Sequence, residues 1–250
     1  MKINSQRTLK SRIKQGITSL VWLAALVSGC GSNNKLIDTE TLKHPYVETA
    51  FVSDQVLTHG GAVRGDVRQD TFLFNLNNRL SGYVWQNYSF KEKAVNERDL
   101  RMWYTYPINK NFSVNAGYHY FDYPTGTFGD YDSAFVAGAN YKSMINLDFD
   151  LTQLIPNKNT DSGTRIYAKA SKKIPLFKKK DLEIALTPSV STAYVDDYFD
   201  ISGLSQVTPG INLGITNGSF NVNFFLNNQN SLISEIPSFN WGGVRFGYTF

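Results

Sequence analysis

Along most of the chain after residue 45, apolar and polar side chains alternate with a period of two, the spacing that sends successive side chains to opposite faces of a β-strand. In the stretch 112–120, Phe112, Val114, Ala116, Tyr118 and Tyr120 share one face, while Ser113, Asn115, Gly117 and His119 share the other. Ile145, Leu147, Phe149 and Leu151 alternate likewise with Asn146, Asp148, Asp150 and Thr152. The same holds for Val207, Pro209, Ile211, Leu213 and Ile215 against Thr208, Gly210, Asn212 and Gly214. At the C-terminus Val244, Phe246, Tyr248 and Phe250 alternate with Arg245, Gly247 and Thr249. One face is oily each time, and no apolar run in this region approaches the ~18 residues of a membrane helix.

The pattern predicts twelve strands, near residues 47–56, 67–76, 80–88, 99–107, 112–120, 133–142, 145–152, 164–173, 182–194, 205–215, 219–227 and 241–250. Short links at 77–78, 107–111, 143–144, 174–181 and 217–218 alternate with longer stretches near 57–66, 89–98, 121–132, 153–163, 195–204 and 228–240. Asn217-Gly218 carries the signal of a type I′ hairpin. An even strand count, an oily outer band with aromatics, short turns at one end and long loops at the other define outer-membrane barrels. The expected fold is therefore all-β: an antiparallel transmembrane β-barrel of about 12 strands with both termini periplasmic. A soluble β-sandwich also alternates, but it rarely leaves so much apolar surface outward.

Charge adds a leader. The net charge is +4, yet Lys2, Arg7, Lys10, Arg12 and Lys14 lie in the first sixteen residues and no acid precedes Asp38. Without those five, the 25 basic residues become 20 against 21 acidic ones, so a basic surface for nucleic acid loses its support. The apolar run Ile17 to Val27 follows, too short to span a membrane, and then Val27-Ser28-Gly29-Cys30. These four residues resemble the lipobox of bacterial lipoproteins, in which the cysteine becomes the lipidated first residue of the mature chain. An ordinary signal peptide cut nearby is the alternative. Gly31 in place of an aspartate implies, by the same resemblance, sorting to the outer membrane. The expected organisation is a signal peptide over 1–29, a periplasmic tether over 30–45 and a barrel over 46–250. A single cysteine excludes an internal disulfide and a multi-cysteine zinc site.

Two further resemblances bear on the barrel. The last strand, with Phe246, Tyr248 and the terminal Phe250, resembles the signal by which bacterial barrels are recognised by their assembly machinery. Around the first hairpin, Ser53-Asp54-Gln55-Val56-Leu57 and Gly61-Ala62-Val63-Arg64-Gly65 are similar to the opening of the TorF-type outer-membrane porins, as is Tyr123-Pro124 after a strand of tyrosines. Gln55 stands where that family has an aromatic residue, and Thr58-His59 where it usually has Arg-Gly. The resemblance implies the outer membrane and a porin fold.

If the oily faces meet lipid, the opposite faces line a lumen. That assigns Arg101, Trp103, His119, Asp148, Asp150, Arg165, Tyr167, Lys169, Glu183, Asn221, Asn223, Phe225 and Arg245 to the interior. Twelve strands give a bore between the side-chain-filled 8-strand barrel and open porins of about 16 to 18 strands. The expected function is a narrow porin for small polar solutes, with an occluded structural or surface-interaction barrel as the alternative. The four cations, partly offset by Asp148, Asp150 and Glu183, predict a weak anion preference. Partners expected are outer-membrane lipid, the barrel assembly machinery and small polar solutes, with no nucleic acid and no cofactor; the oligomeric state is open.

Catalysis is not expected, because outer-membrane hydrolases pair a histidine with a serine or carboxylate, and His44, His59 and His119 are the three histidines. No catalytic or metal residue is assigned. The acidic-aromatic stretches Phe121 to Asp132 and Tyr194 to Asp200 read as a solvated rim, with calcium or sugar binding as the alternative.

Overall fold

The computed structural model describes residues 44–56, 62–125, 131–158, 160–198 and 200–250, without the side chains of residues 55, 56 and 62–64. Cys30, the leader, most of the tether, His59 and Phe199 lie outside the described residues. The described chain forms β1 (Tyr46–Val56), β2 (Ala62–Asn75), β3 (Leu80–Ser89), β4 (Ala94–Pro107), β5 (Phe112–Asp122), β6 (Tyr131–Tyr141) and β7 (Asn146–Leu154). It continues with β8 (Thr164–Ser171), β9 (Ile174–Lys179), β10 (Leu182–Asp196), β11 (Gly203–Asn217), β12 (Phe220–Ser231) and β13 (Phe239–Thr249). Neighbours pair antiparallel, and β13 returns to β1 from Tyr46↔Thr249 to Val52↔Gly243. In lipid the backbone finds no other hydrogen-bond partner, so a sheet with outward apolar side chains must close in this way.

The closed wall has twelve staves, because β8 and β9 share one side of β10. β8 pairs with Ser189–Asp196 and β9 with Leu182–Leu186. The stretch 174–181, expected as a simple link, therefore contains a strand and a tight turn in which Lys180 takes φ 50°. Pro188 explains the break: its carbonyl accepts from Lys172 N (3.2 Å), so its nitrogen faces the junction too, and proline has no hydrogen to give there.

Other boundaries moved as well. The link expected over 89–98 is a turn from Phe90 to Lys93, since β3 and β4 pair up to Ser89↔Ala94. At the Asn217-Gly218 signal, Asn217 pairs with Phe220, so the turn residues are Gly218 and Ser219, with the positive φ on Gly218. Glycine in first place replaces the expected type I′ turn. The first hairpin is closed by the Asp54 carboxylate, which accepts from Gly65 N (3.0 Å) while Gly65 holds φ +127°, a conformation L side chains rarely adopt.

Outward side chains match the alternation. Phe51, Phe135, Phe149, Ile211, Phe224 and Leu226 are between 44% and 63% exposed, an unacceptable surface in water and a suitable one in hydrocarbon. One polar knot interrupts this face on β1 to β3. Asp70 accepts from Arg68 Nη2 (2.9 Å), Gln86 Nε2 (2.8 Å) and Thr49 Oγ1 (3.4 Å), and Arg68 lies 5.7 Å from the Tyr88 ring centroid. Asp70 sits five residues from the Asn75 end of β2, about 13 Å up a tilted strand.

Candidate functional site: the barrel interior

The interior has two unlike sides. On β4 to β8 it is charged. Arg101 Nη2 donates to Asp150 Oδ2 (2.5 Å) although β5 and β6 lie between their strands, so both side chains project inside and cross an arc of the bore. The second Asp150 oxygen accepts from Thr152 Oγ1 (3.0 Å) and lies 3.9 Å from Arg165 Nη1, placing one carboxylate between two guanidinium groups. Arg165 stacks 4.8 Å from the Tyr167 ring centroid. Beside this cluster His119 Nε2 lies 3.0 Å from Asp99 Oδ2 and 3.4 Å from the Tyr83 hydroxyl, and Tyr83 packs against Trp103.

The remaining assigned residues fall into smaller pairs. Asp148 stands opposite Lys169 in the β7–β8 register. Arg245 lies 4.0 Å from Glu48 and its guanidinium carbon 3.8 Å from the Phe225 ring centroid. Glu183 is bound by Lys173 (2.5 Å) at the short-turn end, away from the central cluster. Each assigned cation thus has an acid beside it or opposite it in register; Glu48, not among the interior residues expected from the sequence, is the acid beside Arg245, and Asp99, also not among them, stands beside His119. Asp99 was within reach: the short turn 108–111 sets Arg101 opposite His119, and strand period then brings Asp99 to the same face.

On β10 to β12 the inner face is uncharged above Glu183. It carries Ser189 and Ser191 on β10, Thr208 and Asn212 on β11, and Asn221, Asn223, Asn227 and Gln229 on β12. Glycines on neighbouring strands form seats for these amides. A methyl group at Gly214 would lie 3.0 Å from Asn223 Oδ1, one at Gly247 2.6 Å from Asn221 Nδ2, and one at Gly210 would collide with Asn227 Oδ1. Across the bore, Asn115 lies on Gly138 in the same manner, 2.8 Å from such a methyl. The amides are chained: Asn212 Nδ2 donates to Asn223 Oδ1 (3.1 Å), and Asn223 Nδ2 to Asn221 Oδ1 (2.9 Å).

At the long-loop end, Phe121, Tyr123, Ala134, Leu154, Val195 and Tyr198 form an apolar cluster with Ile201 against it. Tyr198, expected on a solvated rim, is fully buried because the β10–β11 loop folds inward, with Asp197 N donating to Ser202 Oγ (2.8 Å) and positive φ at Asp197 and Asp200. Among the described residues no three His, Cys, Asp or Glu side chains gather to hold a metal ion.

A closed, twelve-stave, antiparallel ring with a polar inside and an oily outside has a clear structural likeness. The NanC porin superposes with a TM-score of 0.50 at 8% identity, over 82% of this chain and 98% of that one. The fold is that of outer-membrane barrels. LpxR from Salmonella typhimurium (TM-score 0.49, 10% identity, 82% of this chain and 100% of that one) and the translocator domain of the autotransporter NalP from Neisseria meningitidis (0.44, 12%, 85% and 92%) are weaker likenesses. At these identities the likeness concerns fold alone. The sequence matches no protein-family model and no curated protein.

Proposed function

We propose that this chain is a narrow outer-membrane channel for small polar solutes, surrounded by outer-membrane lipid and tethered on the periplasmic side by a lipidated Cys30. The observation that carries the reading is the half-exposed polar wall. Ser189, Asn212, Asn221 and Asn227 face the interior yet keep part of their surface accessible. Such groups favour a watered bore, because a dry plug would leave amides and hydroxyls short of partners at about 1–3 kcal/mol each. The likeness of the first hairpin to TorF-type porins agrees with this reading.

The test is a planar-bilayer recording of purified, folded protein in KCl, with discrete current steps expected. A folded barrel that never conducts would favour the second reading, an occluded structural barrel. That reading draws on the Arg101–Asp150 bridge across β4 to β7 and on the buried Tyr198 at the mouth.

Assembly through the last strand belongs to the same proposal. Phe246 and Phe250 stay 48% and 50% exposed on the outside, and the rings of Tyr248 and Phe250 meet edge to face, 5.0 Å apart. Replacing Tyr248 and Phe250 together with serine should reduce heat-modifiable, membrane-inserted protein at least severalfold. Wild-type insertion of the double variant would remove these residues from any recognition role.

A further inference from the structure

We propose that the β11–β12 side of the bore is a hydrogen-bonding rail for uncharged, hydroxyl-rich solutes of sugar size. The inference rests on the channel reading and names its solute class.

Three observations point the same way. The inner faces of β11 and β12 carry amides, hydroxyls and Phe225 and no ionisable side chain of their own; the cation lying on Phe225, Arg245 of β13, is buried beside Glu48, so a passing ion finds little charge to meet there. The partly accessible amides lie flat on glycines: Asn221 on Gly247 and Asn227 on Gly210 occupy the space a Cβ would fill. Any larger residue at those glycines would push the amides into the path. This seating keeps donors and acceptors flush with the wall, presenting hydrogen bonds without narrowing the bore. Asn221 and Asn227 on β12 and Ser189 and Ser191 on β10 keep part of their surface accessible along the staves, so a solute moving along the barrel can exchange one partner for the next.

The charged side offers an anion only weak competing attraction. Arg101 and Arg165 share the single carboxylate of Asp150, which leaves one positive charge in excess, but their side chains are only 13% and 7% exposed and so reach a passing anion poorly. An amide offers an adjacent donor and acceptor, which matches the paired hydroxyls of a sugar, whereas a carboxylate finds repulsion at the amide oxygen. The rail thus discriminates by hydrogen bonding, and the modest anion preference expected from the cations alone becomes secondary.

The experiment uses the full-length protein in a planar bilayer in KCl, with glucose or gluconate added at equal concentration. Glucose is expected to interrupt the current with longer dwell times than gluconate, a solute of nearly the same size. In Asn221→Leu/Asn227→Leu, glucose dwell times should fall about tenfold, the loss expected for two hydrogen bonds. Current steps with gluconate dwelling longer than glucose, or with glucose dwell times unchanged in the double variant, would overturn the rail and leave the channel reading standing. Absence of current steps from folded protein would overturn the channel reading and the rail with it. The glucose-to-gluconate comparison on the unaltered protein needs no variant, so a double variant that fails to fold still leaves a decisive result.

Discussion

Asp150→Leu should destabilise the barrel by about 3–5 kcal/mol, read as a lower urea midpoint for loss of the compact, heat-modifiable form. The Asp150 side chain is 9% exposed and its partners Arg101 and Arg165 are 13% and 7% exposed, so both guanidinium groups would be left with little water and no carboxylate between them. Removing one partner of a buried pair costs far more than the pair itself contributes, because the surviving charge keeps its desolvation penalty. The double variant Arg101→Leu/Asp150→Leu should therefore be more stable than Asp150→Leu alone, with a coupling of about 1–3 kcal/mol. A single variant as stable as the unaltered protein would show that water reaches both arginines at this height. The bore would then be wide there, and the crossing of β4 to β7 would not narrow it.

A second large effect is expected at the mouth. Tyr198 is fully buried against Phe121, Tyr123, Leu154 and Val195, and truncating an aromatic side chain in such a place costs about 3–5 kcal/mol. The loss should fall on the β10–β11 loop more than on the barrel, since the wall is held by backbone pairing that Tyr198 does not make. Tyr198→Ala should make the segment 197–202 open to protease from outside while the urea midpoint of the barrel moves less. It should also raise the single-channel current, because the loop that Tyr198 pins inward can swing off the bore. Unchanged protease resistance together with unchanged current would mean that Ile201 and the loop hydrogen bonds hold the segment without it.

The sequence was legible where lipid makes one face of a strand obligatorily apolar. The middles of β5, β7, β11 and β13 alternate for that reason and could be read directly. Above the lipid both faces of a strand are polar, as in Asn96-Glu97-Arg98, and the period disappears although pairing continues. β4 therefore began five residues earlier than the alternation indicated. The divided stave of β8 and β9 was hidden for a different reason: its cause, Pro188, lies on the neighbouring strand and acts through a hydrogen bond it cannot donate. In the interior, strand period placed Arg101, Asp150, Arg165 and Arg245 on the inner side. Which acid meets which cation depends on the distance across the bore, which no strand shows by itself. The seating of asparagine on glycine was unreadable for the same reason, because each pair joins two strands.

The polar knot around Asp70 has a consequence for how the barrel fits a bilayer. On the β5 to β7 side the outward face stays apolar well up the strands, whereas on β1 to β3 it turns polar about 13 Å above the short turns. The hydrophobic belt is thus shorter on one side than the ~25 Å typical of such barrels. A bilayer of even thickness matches that lopsided belt in two ways: the barrel axis leans toward the short side, or the lipid beside Asp70 thins to bring headgroups down to Arg68. Where the axis leans, mismatch gives the molecule a preferred tilt direction, and membranes of different thickness should change the angle while β1 to β3 remain the low side; where the lipid thins, the thin patch stays beside Asp70.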